Sequence, residues 1–207
     1  MLEVHTRPKS KDLFDRIREH ILLGHYFPGQ WLKQAELESY YNASRSDVRS
    51  ALSSLSERGI VEYVKNRGFR VFDRSPEEIG EIVEMITVLE GAGVHTVVDK
   101  ATNEDVAELE TLAERFDSLI TQGSHADLRL ANYRFHDKLN SMCGNKLMAQ
   151  TVRHLRECCV SGPFARYTTF DGLNESSKEH FEIIALLKQK DSAKLEVLLR
   201  QHTTHST

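Results

Sequence analysis

Residues 44–52 read "SRSDVRSAL", and the reading of this stretch decides how the first third of the chain folds. Val48, Leu52 and, just beyond, Leu55 recur at i, i+4 and i+7, the spacing that buries one stripe of an α-helix. Arg45, Ser46 and Arg49 then fall toward the other side. Ser44, followed three residues later by Asp47, has the order of a capping box, so Ser44 is predicted as the N-cap of a helix over 44–57. Two arginines one turn apart at the exposed start of such a helix have two readings. One is a solvated face, the usual fate of a lone charged pair. The other is a helix built to meet phosphates and base edges.

The flanking sequence separates the two. Upstream, "KDLFDRIREHILLGHYFPGQ" (11–30) predicts a helix with Leu13, Ile17 and Ile21 on one face. Gly24 ends that helix, and Phe27-Pro28-Gly29 turns the chain. "QAELESYYN" (34–42) predicts a second short helix with Leu37 and either Tyr40 or Tyr41 facing inward, and Asn42-Ala43 leads to Ser44. Downstream, Gly59 breaks the third helix. "IVEYVKNRGFRVF" (60–72) is rich in β-branched and aromatic residues around a Lys65-Asn66-Arg67-Gly68 turn, the pattern of a β-hairpin. Three helices followed by a two-stranded wing describe a winged helix-turn-helix. In that setting the nucleic-acid reading of Arg45 and Arg49 is the better one.

Ser75-Pro76-Glu77-Glu78 marks the next boundary, with an N-cap serine, proline at the first helical position and a carboxylate at the third. The expected domains are therefore 1–74, winged helix-turn-helix, and 75–207, all-α. In the second, Ile82, Met85, Ile86 and Leu89 are expected to form one stripe, and Thr102 with Asp105 to cap a helix carrying Val106, Leu109 and Leu112. Further helices are expected around 127–142, 145–158, 176–189 and 192–204, a bundle of about six. The fold class is mainly α.

The 207 residues contain no apolar run long enough to span a bilayer, and the charged start is not a signal peptide. Cys143, Cys158 and Cys159 have no zinc-finger spacing and are read as reduced thiols of a cytoplasmic protein. The net charge of −4 hides an asymmetry. Residues 1–75 hold 13 Lys and Arg against 10 Asp and Glu, whereas residues 76–207 hold 14 against 21. A mildly basic first third joined to an acidic remainder suits two tasks on one chain.

Three motifs, I-L-x-G…P-G-x-x-L, S-R-x-x-V-R-x-A-L and G-I-V…R-G-x-x-V, make residues 12–71 resemble the winged-helix domain of GntR-type transcription regulators. "EIVEMITVLEGAGVHTVVDKAT" (81–102) resembles the first helix of the FCD domain, the effector-binding half of the FadR-like branch. "NYRFHDKLNSMCGNKL" (132–147) and "KEHFEIIALLKQKDSAKLEVLLRQH" (178–202) are similar to its later signatures. The resemblance covers nearly the whole chain in the expected order.

It implies that helix 44–57 enters the major groove, with Arg45 and Arg49 on guanine edges or phosphates. Arginine's planar fork can meet guanine O6 and N7 together, and the helix N-terminus favours a phosphate. Ser44 and Ser46 would donate to phosphate oxygens, and Arg67, helped by Lys65 and the compact Gly68, would reach the backbone or minor groove. Where the family commonly has threonine and proline after the first arginine, this chain has Ser46-Asp47; Asp47 is expected to fold back as a capping carboxylate.

The resemblance also places metal ligands at His136, His180 and His202, each on a different expected helix, with His205 in reserve. Three imidazoles with open positions suit zinc or nickel. The family's usual aspartate, four residues before the first histidine, is Asn132 here. A family arginine near position 86 is Ile86 here, which leaves Tyr133, Arg156 and Arg166 as candidate contacts for an effector. The implied protein is a cytoplasmic homodimer that reads a palindromic DNA operator. It would act as a repressor of a metabolic operon, with a carboxylate or sugar acid as effector. A metal-dependent enzyme using the three histidines, and a metal-only sensor, are the other readings.

Overall fold

The computed structural model describes residues 10–159 and 169–205. The chain falls into two compact units that meet in sequence at Arg74 and Ser75. The first contains α1 (Ser10–Leu22), β1 (Trp31–Leu32), α2 (Gln34–Tyr41), α3 (Arg45–Glu57), β2 (Val61–Val64) and β3 (Gly68–Val71). Its strands form an antiparallel sheet in the order β1-β3-β2. The second contains α4 (Pro76–Lys100), α5 (Asn103–Gln122), α6 (His125–Ser141), α7 (Lys146–Cys159), α8 (Phe170–Gln189) and α9 (Ser192–His205). No helix among the described residues is long and apolar enough to cross a membrane.

The first unit closes on the stripes that the spacing of its apolar residues predicts. Leu13 and Ile17 of α1 and Val48, Leu52 and Leu55 of α3 are fully buried, and α1 packs against α3. Each such side chain contributes roughly 1.5–3 kcal/mol through removal from water. Ser44 caps α3: its hydroxyl accepts the Asp47 N–H at 3.2 Å and donates to the Asp47 carboxylate. Asp47 is therefore turned back onto the helix start, as its position in the sequence suggests. Gly59 stops α3 at φ +64°, a left-handed conformation that any β-carbon would strain. Of the two tyrosines at the end of α2, Tyr41 is buried and Tyr40 is exposed.

The wing has three strands where the sequence suggests two. Trp31-Leu32 adds to the free edge of β3, in register with Arg70 and Phe69. Two residues are too few for an alternating pattern to show, so this strand exists through its partner.

In the second unit, α4 packs against α7 and α9, and α5 against α6 and α8. The main core gathers Val94, Leu109, Phe135, Ile183 and Leu195, all fully buried. Ser75, Thr102 and Ser124 each close a complete capping box, with Glu78, Asp105 and Asp127 at the third helical position. The stripe of α4 differs from expectation. Ile79, Val83, Ile86, Glu90, Val94 and Val97 face inward, while Met85 is 51% exposed. Met85 lies about 100° round the helix from Ile86, so both cannot share the stripe. Helix α8 starts at Phe170, six residues before its expected start, because the Thr169 hydroxyl accepts the Gly172 N–H and begins it there. The three cysteines are free and buried.

Candidate functional site

The first unit presents its candidate residues on two segments of chain, the start of α3 and the turn between β2 and β3. Arg45, Ser46 and Arg49 are exposed on the first turns of α3, opposite the packed face of Val48, Ala51, Leu52 and Leu55. Ser44 is half-buried, and its oxygen lies 2.8 Å from the Ser46 hydroxyl as well as on Asp47. The helix start thus combines two exposed guanidinium groups with backbone N–H groups and their positive end of the helix dipole, an arrangement that attracts anions. Between β2 and β3, Lys65, Asn66 and Arg67 are all exposed. Asn66 at φ +64° and Gly68 at φ +100° make the turn. A β-carbon on Gly68 would meet nothing within 4 Å, so the backbone conformation, and not lack of room, calls for glycine there. The Arg67 guanidinium lies over the Trp31 ring, 4.4 Å from its centroid.

The second unit has a buried histidine centre. His136 on α6, His180 on α8 and His202 on α9 are 1%, 0% and 0% exposed, and one nitrogen from each lies within 4.8 Å of the others. The Nε2 atoms of His136 and His202 are 3.0 Å apart. Ligand atoms about 2.1 Å from a common ion lie roughly 3 to 4 Å from one another, so the His136–His202 separation fits a shared cation. Phe135 stacks on His180 with centroids 4.0 Å apart, and Phe116 meets the same ring edge-on at 5.0 Å. These aromatic walls fix the ring's orientation.

Burial lowers the pKa of His136 well below its usual value, and the nearby Arg156 charge lowers it further. Burial lowers His202 as well, although Glu179 acts in the opposite direction. Both rings are accordingly neutral at neutral pH, the state that binds metal. The Nδ1 of His202 lies 2.6 Å from Glu179 Oε2. A neutral His202 donates from Nδ1 to that carboxylate, which leaves the Nε2 lone pair facing the other histidines. Asn132 stands one turn before His136 on α6, and its buried Oδ1 has no hydrogen-bond partner among the described residues. The Nδ1 of His136 is in the same position. A buried amide oxygen without a donor, one helical turn from the first of three clustered imidazoles, is a group that a divalent cation would satisfy.

Beside this centre lies a carboxylate that the sequence reading passed over. Glu90 of α4 is 6% exposed and sits in an otherwise apolar stripe. Its Oε1 accepts from Arg156 Nη2 at 2.7 Å and from Asn140 Nδ2 at 2.8 Å, and its Oε2 accepts from Thr203 Oγ1 at 3.0 Å. Arg156, a candidate effector contact, is therefore paired within the protein. Tyr133, another, donates to Glu157 Oε1 at 2.9 Å. Ile86, at the position where an arginine is common in the resembled family, is buried. Arg166 lies outside the described residues, as does the side chain of His205. Glu90 carried a signal, a single charge inside "ITVLEGAGV"; Glu179 carried none, since its neighbour His180 draws the attention of any motif.

Residues 9–71 match the family of bacterial regulatory proteins, gntR family, and residues 81–205 match the FCD domain. The chain is similar to the HTH-type transcriptional repressor GlaR of Escherichia coli, with 26% identity over 93% of this chain and 91% of that protein. It is also similar to the HTH-type transcriptional repressor RspR of the same organism, at 22% identity over 95% of this chain and 86% of that protein. Among solved structures, E. coli McbR/YncC superposes with a TM-score of 0.86 at 20% identity, covering 94% of this chain and 93% of the other. That likeness concerns the fold.

Proposed function

The chain belongs to the gntR family of bacterial regulatory proteins, in its FCD-bearing branch, and from that premise we propose a ligand-responsive repressor of a metabolic operon. The family and the relatives named above are transcription regulators, which removes the enzyme reading of the three histidines. The observation that carries the proposal is the presence, on one chain, of an exposed Arg45–Arg49 face and a buried three-histidine centre in separate units.

On the DNA side, Arg45 and Arg49 meet guanine edges or phosphates, Ser44 and Ser46 lie against phosphate oxygens, and Lys65, Arg67 and Gly68 form a wing on the backbone or minor groove. A homodimer in the cytoplasm would present two such surfaces to a palindromic operator, because twofold proteins match twofold sites. On the effector side, Asn132, His136, His180 and His202 would hold zinc or nickel. A divalent ion there supplies a fixed positive charge with open coordination positions for a carboxylate or sugar acid. Asn132 leaves that charge whole where an aspartate would halve it, which favours an anion further. Glu179 orients His202, and Phe135 and Phe116 orient His180. Tyr133, Arg156 and Arg166 are the effector contacts proposed; Arg156 reaches an incoming carboxylate by leaving Glu90. The switch is a shift between arrangements of the bundle, passed to the DNA-reading unit through the junction at Arg74 and Ser75.

The test is operator binding on duplexes that the protein selects from a random-sequence pool. Zinc, nickel and a panel of small carboxylates and sugar acids are titrated onto chelated and metal-loaded protein. One class of acid is expected to change DNA affinity by roughly 5- to 150-fold, and only with metal present. A metal that changes affinity alone, with every acid inert, favours the metal-sensor reading, which the same histidines support. No response to metal or acid contradicts both.

A further inference from the structure

We infer that Trp31 is a positioning residue of the DNA interface, whose indole holds Arg67 so that its N–H edge is presented to the phosphate backbone. The inference rests on the DNA-binding reading above and deepens it. Trp31 is the only tryptophan in the chain, and it lies on the short edge strand β1. Its neighbour Leu32 enters the core at 4% exposure, so Trp31 points to the opposite, solvent side of the sheet. A half-buried tryptophan on that side is not a core residue and needs another cause.

The cause is visible across the sheet. Trp31 is in register with Arg70 of β3, which is in register with Glu62 of β2. Arg70 forms an ion pair with Glu62, and its guanidinium carbon is 5.7 Å from the Trp31 centroid. Glu62 thus neutralises Arg70, which serves as a fixed wall beside the ring. Arg67 differs. It comes from the exposed turn, approaches the same ring at 4.4 Å, and pairs with no carboxylate among the described residues.

A guanidinium lying on an aromatic face uses its π-surface and leaves its in-plane N–H donors directed outward. Those donors are the groups that meet phosphate oxygens. Without the ring, Arg67 would sample many rotamers on a two-stranded turn, and fixing one of them on DNA would reduce affinity. With the ring, most of that ordering is already present in the free protein. The ligand chemistry is the phosphodiester of duplex DNA, independent of base sequence, so the effect belongs to the salt-dependent part of binding.

The test uses the full chain and a random-sequence duplex of about 30 base pairs at low salt, followed by anisotropy, with phosphate contacts as the source of such binding. W31A is expected to weaken binding roughly three- to tenfold, W31F less, and R67A at least as much as W31A. R67A should also reduce the salt slope by about one. In the R67A background, W31A or W31F should cost nothing further, because the ring acts through that arginine. Tryptophan emission of the wild type should change on adding duplex, and that of R67A should not. If W31A melts early, the W31F cycle decides in its place. A loss from either Trp31 variant that persists without Arg67 overturns the inference, as does unchanged binding by W31A and W31F while R45A/R49A is weakened; the regulator reading survives both. Failure of the wild type to bind any duplex overturns the two together.

Discussion

Single side chains here are fixed by the partner that each nitrogen or oxygen finds. Glu179 decides which face of His202 looks into the histidine centre, because its carboxylate takes the Nδ1–H and leaves Nε2 available. Glu179→Gln keeps the shape and removes the charge. It should weaken zinc binding about 10- to 100-fold with little change in the melting point of the chelated protein, measured by competition with a chromogenic chelator. Unchanged zinc affinity would show that His202 does not need this partner. Roles set by local bonds are legible in the sequence, and roles set across the fold are not. Ser44, Ser75 and Thr102 are local caps, so their roles are written within four residues. Glu90 and Trp31 act across the fold, on Arg156, Asn140 and Thr203 in one case and Arg67 in the other. A pairing between residues 66 positions apart has no local signature.

Helices and strands were legible where their apolar period is long. The stripes of α1 and α3 are those that Leu13, Ile17, Ile21 and Val48, Leu52, Leu55 announce. The stripe of α4 is not legible in the same way because nearly every position in "IVEMITVL" is apolar, and packing against α7 and α9 selects Val83 and Ile86 over Met85. Strand β1 was invisible at two residues. The start of α5 gives an element-scale prediction. Asp105 closes the capping box with Thr102 and also accepts from Lys138 at 2.8 Å. The Lys138 ammonium, then the Thr102 N–H and hydroxyl, hold its pKa down to about 2. A carboxylate depressed in the folded state stabilises the fold above the ordinary aspartate value of about 4, and that contribution is lost as pH falls toward 2. Asp105→Asn should therefore lower stability at neutral pH by about 1 kcal/mol, through loss of the charge that Lys138 meets and a weaker return bond to the Thr102 N–H. In thermal melts the gap to wild type should narrow between pH 6 and pH 3; a gap that widens in acid contradicts this assignment.

At the scale of the molecule, the chain joins two units with separate cores, and the charge asymmetry between its first third and the rest follows that division. The overall negative charge says little about the partner of the basic end. What bears on it is the placement of Arg45 and Arg49, both exposed on a helix whose other face is fully packed. The central claim is that this face grips the duplex. Its most direct test is the affinity of R45A/R49A for a duplex selected by the wild-type protein, with circular dichroism and melting recorded alongside. Two good base or phosphate contacts are worth about a hundredfold or more together, and neither side chain supports the core, so the variant should melt like wild type and lose at least that much affinity. A folded R45A/R49A protein that binds the selected duplex as tightly as wild type would contradict the account.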